Sequence, residues 1–289
     1  MTDINNINHE MNNPSKVYAL FYSFFLIPLM LTIFSVLFFF LFKMLTYEKQ
    51  DPHYLLNNIS SGSLTKRWQS AYELSNLMSD VTKIPTDQLF INQMITMYEK
   101  SIHDDPRVRT YLALAMGQTK NVQFCSYLIN GMEDKNLENR IAAIKSLGMI
   151  SCPESVDNLH KALDPINDKQ ERLASVISIG ILQDTSSIDI LIELLDDEEA
   201  NIRWDTAISL FKMNNYSGNS ILEKLLNREY YSNYPEVDSN EIDGAILTVL
   251  GLISKTNHQD FKNELEKLAK DEKNIKIREF AMKILAEYY

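Results

Sequence analysis

The sequence predicts an all-α protein, a solenoid of about seven helical hairpins preceded by one transmembrane helix. Three observations predict this architecture. An arginine followed eight residues later by a small residue recurs along the chain, an uncharged apolar run lies near the N-terminus, and the 289 residues include only 8 glycines and 8 prolines. So few turn-forming residues disfavour a β-sandwich or a β-barrel, which need many tight turns.

Composition narrows the class of protein further. With 45% hydrophobic and 23% charged residues, the chain has the balance of a folded protein, which excludes disorder throughout. The net charge of −11 disfavours nucleic acid as an electrostatic partner. The two cysteines, Cys125 and Cys152, are too few for a disulfide framework or an all-cysteine zinc site.

The N-terminal region is predicted to contain a membrane anchor. Residues 1–16 form a short polar tail, and residues 17–42 contain no charged side chain. A helix over this run would be about 39 Å long at 1.5 Å per residue, which exceeds the bilayer core of about 30 Å. The run ends without the small-residue cleavage site of a signal peptide. We therefore expect a transmembrane helix over 17–42 and a linker over 43–51.

The charges that flank this run predict its orientation. Lys16 precedes the run, whereas Lys43 and Lys49 follow it closely. The positive-inside rule counts lysine and arginine near the ends of a transmembrane helix and assigns the richer side to the cytoplasm. The C-terminal part of the chain is therefore expected on the cytoplasmic side.

The remainder of the chain carries an internal repeat. Its central copies begin 31, 32 and 31 residues apart, and in the sixth copy Asp243 replaces the arginine. The arginines that begin the other copies are Arg67, Arg109, Arg140, Arg172, Arg203 and Arg278. The residues eight positions later are Ser75, Gly117, Gly148, Gly180, Phe211, Gly251 and Ala286, of which only Phe211 is large.

Each copy has the pattern of a helical hairpin. Small or apolar residues follow the arginine at plus three, four and seven and form one face of a helix. A second amphipathic helix lies between copies, for example over 121–132 and 186–195. The small residue at plus eight lets a neighbouring helix approach closely or ends the helix. Since one hairpin cannot bury its apolar face alone, the pattern predicts a stacked solenoid over 52–289.

The run Asp104 to Gly117, DDPRVRTYLALAMG, resembles a HEAT repeat of the short bacterial type, also called PBS-lyase HEAT-like. The whole layout is similar to small bacterial HEAT proteins with one N-terminal transmembrane helix. The resemblance implies a right-handed α-solenoid with a concave binding side, in a single-pass protein of the inner membrane. Its family includes bilin lyases and adaptors, so it implies a fold more specifically than a function.

The repeated arginines have two interpretations. They could form a row of anion ligands, or a structural ladder in which each arginine pairs with an acidic residue shortly before it or in the adjacent repeat. A residue repeated in every copy usually serves stacking, which favours the ladder. The candidate ladder residues are Arg67, Arg109, Arg140, Arg172, Arg203 and Arg278, with Asp104, Asp105, Asp134, Asp168 and Asp197 as possible partners.

Positions plus one, two and five after the arginine are expected to face outward. They carry more large apolar groups than a solvated surface normally does. They predict a groove for a helix or an extended peptide, although tight curvature could instead pack these residues against neighbouring repeats. The predicted partner-binding residues of this concave face are Trp68, Tyr72, Tyr111, Leu114, Ile141, Leu173, Ile177, Trp204 and Ile208.

A tyrosine-rich insert lengthens one repeat over 227–241. Inserts in solenoids map to surface loops and often carry recognition, so Tyr230, Tyr231 and Tyr234 are further partner-binding candidates. The alternative is a disordered or self-packed loop.

Catalytic motifs are not found. The five histidines are scattered without HExxH spacing, and no glycine-rich nucleotide-binding loop occurs, so we expect no catalytic residue, no metal site and no cofactor. The predicted function is a non-enzymatic, membrane-anchored scaffold or adaptor that binds a protein partner and recruits or regulates a membrane complex such as a transporter. The alternatives are an accessory subunit of a bilin-lyase-like enzyme and a periplasm-facing protein that binds envelope components.

Overall fold

The computed structural model describes residues 22–45, 51–256 and 259–289. The predicted tail over 1–16, the start of the predicted transmembrane helix over 17–21 and most of the predicted linker lie outside the described residues. The chain divides into two compact units, Met1–Gln50 and Asp51–Tyr289.

The first unit contains one long apolar helix. A π-helical turn over Tyr22–Leu26 continues directly into helix α1 over Ile27–Leu45. Pro28 lies next to this junction, inside the continuous helix, where its missing N–H removes one intrahelical hydrogen bond. The 23 residues Tyr22–Met44 have a mean hydropathy of 2.7 and none of them is buried, so this helix is long and apolar enough to cross a membrane. Because signal sequences meet the same criterion, the transmembrane role remains a prediction.

The second unit is built of helical hairpins. Between Asp51 and Tyr289 the described residues form seven such hairpins and no strand, which confirms the predicted all-α class. The hairpins pair α2 (Pro52–Ser61) with α3 (Leu64–Met78), α4 (Gln88–Lys100) with α5 (Pro106–Thr119), α6 (Cys125–Gly131) with α7 (Leu137–Ile150), α8 (Val156–Ala162) with α9 (Lys169–Leu182), α10 (Ile188–Glu193) with α11 (Ala200–Lys212), α12 (Asn219–Leu225) with α13 (Ser239–Ile253), and α14 (Lys262–Asp271) with α15 (Ile275–Tyr288). The second helix of each hairpin begins shortly before a repeat position, and we refer to these seven as the arginine helices.

Short polar residues fix where the arginine helices begin. The side chains of Asp105, Asn136 and Asp168 each accept a hydrogen bond from a backbone N–H in the first turn of α5, α7 or α9. At α13, Asp238 and Glu241 form a reciprocal capping box. Such caps satisfy backbone donors that have no partner within the helix.

Four of the arginine helices, α5, α7, α9 and α11, end at a common position. Eleven residues after the arginine, the backbone adopts a left-handed conformation with φ between 54° and 58°. The four residues in this conformation are Lys120, Ser151, Gln183 and Asn214. A left-handed residue turns the chain away from the helix axis, and glycine usually occupies it because it has no Cβ.

The glycine at plus eight mediates close packing between arginine helices, which lie side by side from α3 to α11. A Cβ added to Gly117 would lie 2.8 Å from the Cα of Ser146 on the next arginine helix. The Ser146 hydroxyl donates a 2.8 Å hydrogen bond to the carbonyl of Ala113. The same arrangement joins Gly148 to Ser178 and Gly180 to Ser209. Since the helices continue beyond plus eight, the glycine permits close approach and does not end the helix.

Two hydrophobic clusters form the interior. The first extends from Leu55 to Met213, and the second extends from Ala207 to Ile284. Phe211, the large residue at plus eight, belongs to the second cluster, where its ring centroid lies 6.0 Å from that of Phe261. The two clusters therefore meet at α11, where the glycine packing of the preceding repeats ends.

The first helices of the hairpins are shorter than the sequence predicts. Of the predicted helix over 121–132, residues Val122–Phe124 form a 3-10 turn and Cys125–Gly131 form α6. The predicted helix over 186–195 likewise begins in the 3-10 turn Thr185–Ser187 before α10. Tight local hydrogen bonds explain the turns, as when Asn121 accepts the N–H of Gln123.

Candidate partner-binding surface

Aromatic residues connect the first two arginine helices. The rings of Tyr72 on α3 and Tyr111 on α5 meet edge to face with centroids 5.2 Å apart, and Tyr72 remains 46% exposed. Beside them the Arg107 guanidinium lies 4.1 Å from the centre of the Trp68 ring. Trp68 is half-buried against the core. This aromatic group places three of the predicted binding residues, Trp68, Tyr72 and Tyr111, next to one another.

A groove of about 400 Å³ crosses α7, α9 and α11. Leu173 and Ile177, one helical turn apart on α9, line it together with Ile141 of α7. The residues that complete its lining are Lys145, Lys169, Gln170, Ala174, Glu199, Asn201 and Ile202. Its floor is apolar and its rim is charged, which is the combination expected of a site that binds a segment of another chain.

The groove contains a basic residue without a carboxylate partner. Lys169 lies 3.5 Å from the carboxylate of Glu199. Lys145 is exposed, and within the described part of the chain it has no carboxylate at ion-pair distance. From Lys43 onward the chain has 27 basic and 37 acidic residues, so the groove places this positive charge on a protein that is acidic as a whole.

Trp204 is covered by the tyrosine-rich insert. Its indole N–H donates a 3.2 Å hydrogen bond to the Tyr230 hydroxyl, and its ring lies edge to face with Tyr234 at 4.9 Å between centroids. The Tyr230 and Tyr234 hydroxyls are 3.1 Å apart. The insert forms a 3-10 helix over Arg228–Asn233, so it is packed against the solenoid, as the self-packed alternative described.

The structure sorts the predicted surface residues by exposure. Ile141 in the floor of the groove and Tyr231 in the insert are 4% and 3% exposed, so both expectations of an outward-facing side chain are wrong. Ile141 fills the space between adjacent arginine helices, and the Tyr231 hydroxyl donates to the carbonyl of Leu225. The half-buried candidates are Trp68, Tyr111, Leu114, Leu173, Ile177, Trp204, Ile208, Tyr230 and Tyr234.

Sequence reasoning missed Ile181 and the role of the neighbouring lysines. Ile181 is 43% exposed and continues the line of Leu173 and Ile177 along α9. The spacing of four residues between these apolar side chains was the available signal. Lys145 stood at a plus-five position but could not be recognised as part of a groove without the neighbouring helices.

Four of the repeated arginines form ion pairs with the next hairpin. Their partner is an acidic residue at or just before the following arginine helix. The pairs are Arg67–Asp104 at 2.9 Å, Arg109–Asp134 at 2.7 Å, Arg140–Glu171 at 2.9 Å, and Arg172–Asp197. In the second and fourth pairs both side chains are less than 10% exposed. Of the possible partners, Asp105 pairs instead with Arg107, and Asp168 caps α9.

The C-terminal repeats depart from this pattern. Arg203 donates to the backbone carbonyl of Glu198 and to the Tyr234 hydroxyl, and Arg278 donates to the carbonyl of Glu272. In the sixth repeat, where Asp243 replaces the arginine, Arg228 of the insert supplies the missing charge. It pairs with Asp243 and, at 2.7 Å, with Glu272. Sequence reasoning missed Arg228 because it lies outside the repeat register.

This three-residue ion pair shifts the ionisation of its carboxyls. The hydrogen bond from Arg228, supported by one from Asn274, lowers the pKa of Asp243. Burial raises the pKa of Glu272, but the hydrogen bonds from Arg228 and from the backbone N–H of Asn274 outweigh it, so the net shift is downward. Both groups are therefore held as carboxylates at neutral pH.

Other shifted groups do not converge on a reactive site. Burial raises the pKa of Tyr98 to about 12, where it packs under the Arg109 guanidinium. Burial also raises the pKa of Asp205, with Lys212 acting in the opposite direction. Among the described residues one group of His, Cys, Asp or Glu brings possible ligand atoms within 4.8 Å, namely Cys125, Cys152 and Glu154.

The fold and the stacked arginine helices define a helical-repeat protein. A family model of HEAT repeats matches residues 94–169, and a model of the PBS lyase HEAT-like repeat matches residues 171–197. The central hairpins therefore carry HEAT repeats, including one of the PBS-lyase HEAT-like type, as the sequence resemblance predicts. No curated protein sequence matches the chain.

Solved structures share this fold. The complex of CpcE and CpcF of phycocyanin lyase from Nostoc sp. PCC7120 includes a chain that superposes with a TM-score of 0.59 at 19% identity, over 84% of this chain and 89% of that one. Computationally designed armadillo repeat proteins for modular peptide recognition match at a TM-score of 0.40 and 14% identity, over 82% and 99% of the two chains. At such identities the first likeness shows the solenoid fold alone, and the second carries no further weight.

Proposed function

We propose that this protein is a non-enzymatic scaffold, anchored to the membrane, that binds a segment of a protein partner in the groove across α7, α9 and α11. The observation that carries the proposal is the apolar line on α9, with Leu173 and Ile177 half-buried in the groove beside the unpaired Lys145 and the exposed Ile181 continuing it. Apolar side chains left at a surface in a row are typical of an interaction site. HEAT repeats supply a rigid layer that holds such a row in place.

The charges of the groove indicate the chemistry of the partner. A segment with apolar side chains would cover the line on α9, and an acidic side chain in that segment would face Lys145. The 37 acidic and 27 basic residues from Lys43 onward give the chain a net negative charge, which would disfavour an acidic segment elsewhere on it. We therefore expect an apolar segment that carries at least one carboxylate.

The proposed membrane anchor would place partner binding close to the membrane surface. Tyr22–Met44 would confine the solenoid to a layer near the membrane, which raises its effective concentration for other membrane proteins. The proposed partner is accordingly a membrane protein complex, such as a transporter, in the bacterial inner membrane. By a margin of one lysine, the positive-inside rule favours a cytoplasmic solenoid, whereas the pairing of Cys125 with Cys152 favours the opposite side.

Site-specific photo-crosslinking tests the groove. A photoreactive amino acid is placed at Ile181 on α9, and as a matched control at Ile192 on α10, which is also exposed and apolar. The full chain in native membranes should crosslink to a defined partner from position 181 and not from position 192. Lys145→Glu should reduce that crosslink by about tenfold, the effect of roughly 1.4 kcal/mol. Equal crosslinking from both positions would contradict a groove on the arginine helices.

An accessory role in a lyase-type enzyme is the second candidate. The PBS lyase HEAT-like repeat and the fold shared with the CpcE–CpcF complex support it only at the level of fold. A partner that transfers a chromophore, when purified with this chain and absent without it, would favour this candidate over the scaffold.

A further inference from the structure

We propose that Cys125 and Cys152 form a disulfide in the cell, and that the solenoid therefore faces an oxidising compartment. The structure joins the two sulfur atoms, and the Cα atoms are 5.9 Å apart, inside the usual range for a disulfide. Cys125 is the first residue of α6, and Cys152 lies in the connection between α7 and α8. The bond thus ties the third hairpin to the beginning of the fourth.

We compared Cys125 and Cys152 with the residues at the same positions in neighbouring repeats, and the other repeats have no cysteine there. The turn Val122–Phe124 follows Asn121, whose side chain accepts the N–H of Gln123. The turn Pro153–Ser155 follows Cys152 instead, and no side chain caps it. The first residue of α8 is Val156 and that of α10 is Ile188, whereas α6 begins with Cys125.

Two adjacent repeats therefore carry cysteine where the equivalent positions of other copies do not: Asn121 and Asp184 correspond to Cys152, and Val156, Ile188 and Asn219 correspond to Cys125. In the fourth hairpin the turn Pro153–Ser155 lacks the side-chain cap that Asn121 gives the equivalent turn of the third hairpin, so Cys152 adds stability only if its sulfur contributes in another way. The sulfur of Cys152 is fully buried and that of Cys125 nearly so. A covalent bond between the repeats provides the compensating contribution.

The neighbouring carboxylate favours the bridge over a metal site. Glu154 Oε2 lies 3.5 Å from each sulfur, and a carboxylate there disfavours the thiolates that a metal would need. Structural zinc sites take four protein ligands, and the described residues offer three at this point. A neutral disulfide beside Glu154 meets neither difficulty.

Formation of the bond fixes the compartment. Two thiols become one disulfide by releasing two protons and two electrons, and the electrons pass to the disulfide of an oxidising protein, which is reduced to a dithiol by thiol–disulfide exchange. Such acceptors maintain protein disulfides outside the cytoplasm, whereas cytoplasmic thiols are kept reduced. The solenoid, which contains both cysteines, is therefore assigned to the periplasmic side of an inner membrane.

The charges beside the apolar helix oppose this assignment only weakly. Within the range that the positive-inside rule counts, Lys16 precedes the helix, and Lys43 and Lys49 follow it. The difference amounts to one lysine. The rule also has little influence on long domains, which are translocated largely regardless of charge, and the solenoid is such a domain.

Thiol trapping in intact cells tests the bond. Bacteria that produce the full chain are quenched with acid, which stops thiol exchange, and the denatured protein is treated with a polyethylene glycol maleimide. The proposal expects no adduct before reduction and two adducts after it. Cys125→Ser, with a single thiol, should give one adduct in both conditions and so calibrates the gel. Two adducts without reduction would overturn the disulfide.

Protease added to spheroplasts tests the side of the membrane independently. A periplasmic solenoid should be digested while the membrane is intact, and a cytoplasmic control protein should survive. Protection of the solenoid until detergent is added would overturn the assignment. Neither measurement involves a partner, so the result of each is independent of whether the proposed groove binds a partner.

Discussion

At the scale of single residues, contacts between neighbouring hairpins depend on positions with little tolerance. Gly148 illustrates this, because a Cβ there would lie 2.8 Å from the hydroxyl and 2.9 Å from the Cα of Ser178. The backbone of the next arginine helix stands behind that hydroxyl, so a larger side chain must separate two helices. Gly251 has the same sequence position but nothing within 4 Å of an added Cβ.

These two glycines give a matched pair of variants. Gly148→Ala should destabilise the protein by about 1–3 kcal/mol through overpacking. Gly251→Ala should be neutral or stabilise by up to about 1 kcal/mol, because alanine has the higher helix propensity. Urea unfolding followed by circular dichroism measures both. Equal effects of the two substitutions would show that close helix approach is not the reason for the glycine.

The buried ion pairs make a second prediction at this scale. Arg109→Ala leaves the Asp134 carboxylate buried without its partner and should cost about 3–5 kcal/mol. Arg278→Ala, which removes a hydrogen bond to a backbone carbonyl, should cost only about 1 kcal/mol. Replacing Arg109 and Asp134 together by Met and Leu should recover much of the loss. If the double variant is no more stable than Arg109→Ala, an unpaired carboxylate is not the cause.

At the scale of helices, how each element ends is as important as how it packs. Lys120 ends α5 with φ of 55°, a left-handed conformation that costs a side-chain-bearing residue about 1–2 kcal/mol. Asn214 ends α11 with φ of 57°, but asparagine tolerates this conformation. Lys120→Gly is therefore expected to raise the thermal midpoint, and Asn214→Gly should change it less. Differential scanning calorimetry compares the two, and an equal or lower midpoint for Lys120→Gly would contradict a strained helix end.

The ion pairs of Arg228 join the insert to α13 and to the connection between α14 and α15, and they make stability depend on pH. Its carboxyl partners, Asp243 and Glu272, have folded-state pKa values below the ordinary 3.8 and 4.5. Their contribution is therefore complete above those ordinary values and is lost as pH falls through the lower folded values. Lowering the pH from 7 to 3, below both ordinary values, should reduce this part of the stability.

The variant Arg228→Gln isolates that contribution. At pH 7 its urea midpoint should lie clearly below that of the wild type, and at pH 3 the two midpoints should approach each other. The comparison between the two proteins cancels the titration of all other carboxyls. A difference that stays constant between the two pH values would exclude a role for Asp243 and Glu272 in the effect.

At the scale of the whole molecule, the solenoid has two hydrophobic clusters that meet at α11. Glycine–serine packing joins α5, α7, α9 and α11, whereas the tyrosine-rich insert lies beside α11 and no such packing continues to α13. We expect the hairpins α12/α13 and α14/α15 to open at lower free energy than the first five. Native-state hydrogen exchange at low denaturant should show earlier exchange in α13 and α15 than in α7. A single opening free energy across all of these helices would contradict two cooperative units.

Much of the fold could be predicted from the sequence because the same weak pattern occurs in several copies, and the copies together give a strong prediction. Each arginine position alone is weak, but the register of Arg109, Arg140 and Arg172 predicts the hairpins α4/α5, α6/α7 and α8/α9 that the structure contains. The groove could be predicted only in part. Leu173 and Ile177 followed from helical spacing, whereas Ile141 proved buried, because exposure depends on how closely the next helix approaches.

By itself the sequence determined the all-helical class, the repeat length, the HEAT-like family and the apolar helix, since these properties follow from local periodicity and composition. Only the tertiary structure decided which residues meet. It brought Arg228 between Asp243 and Glu272, covered Trp204 with the insert and joined Cys125 to Cys152. The physical reason is that contacts between residues about 15 to 44 positions apart are set by the stacking of whole hairpins, which no local pattern records.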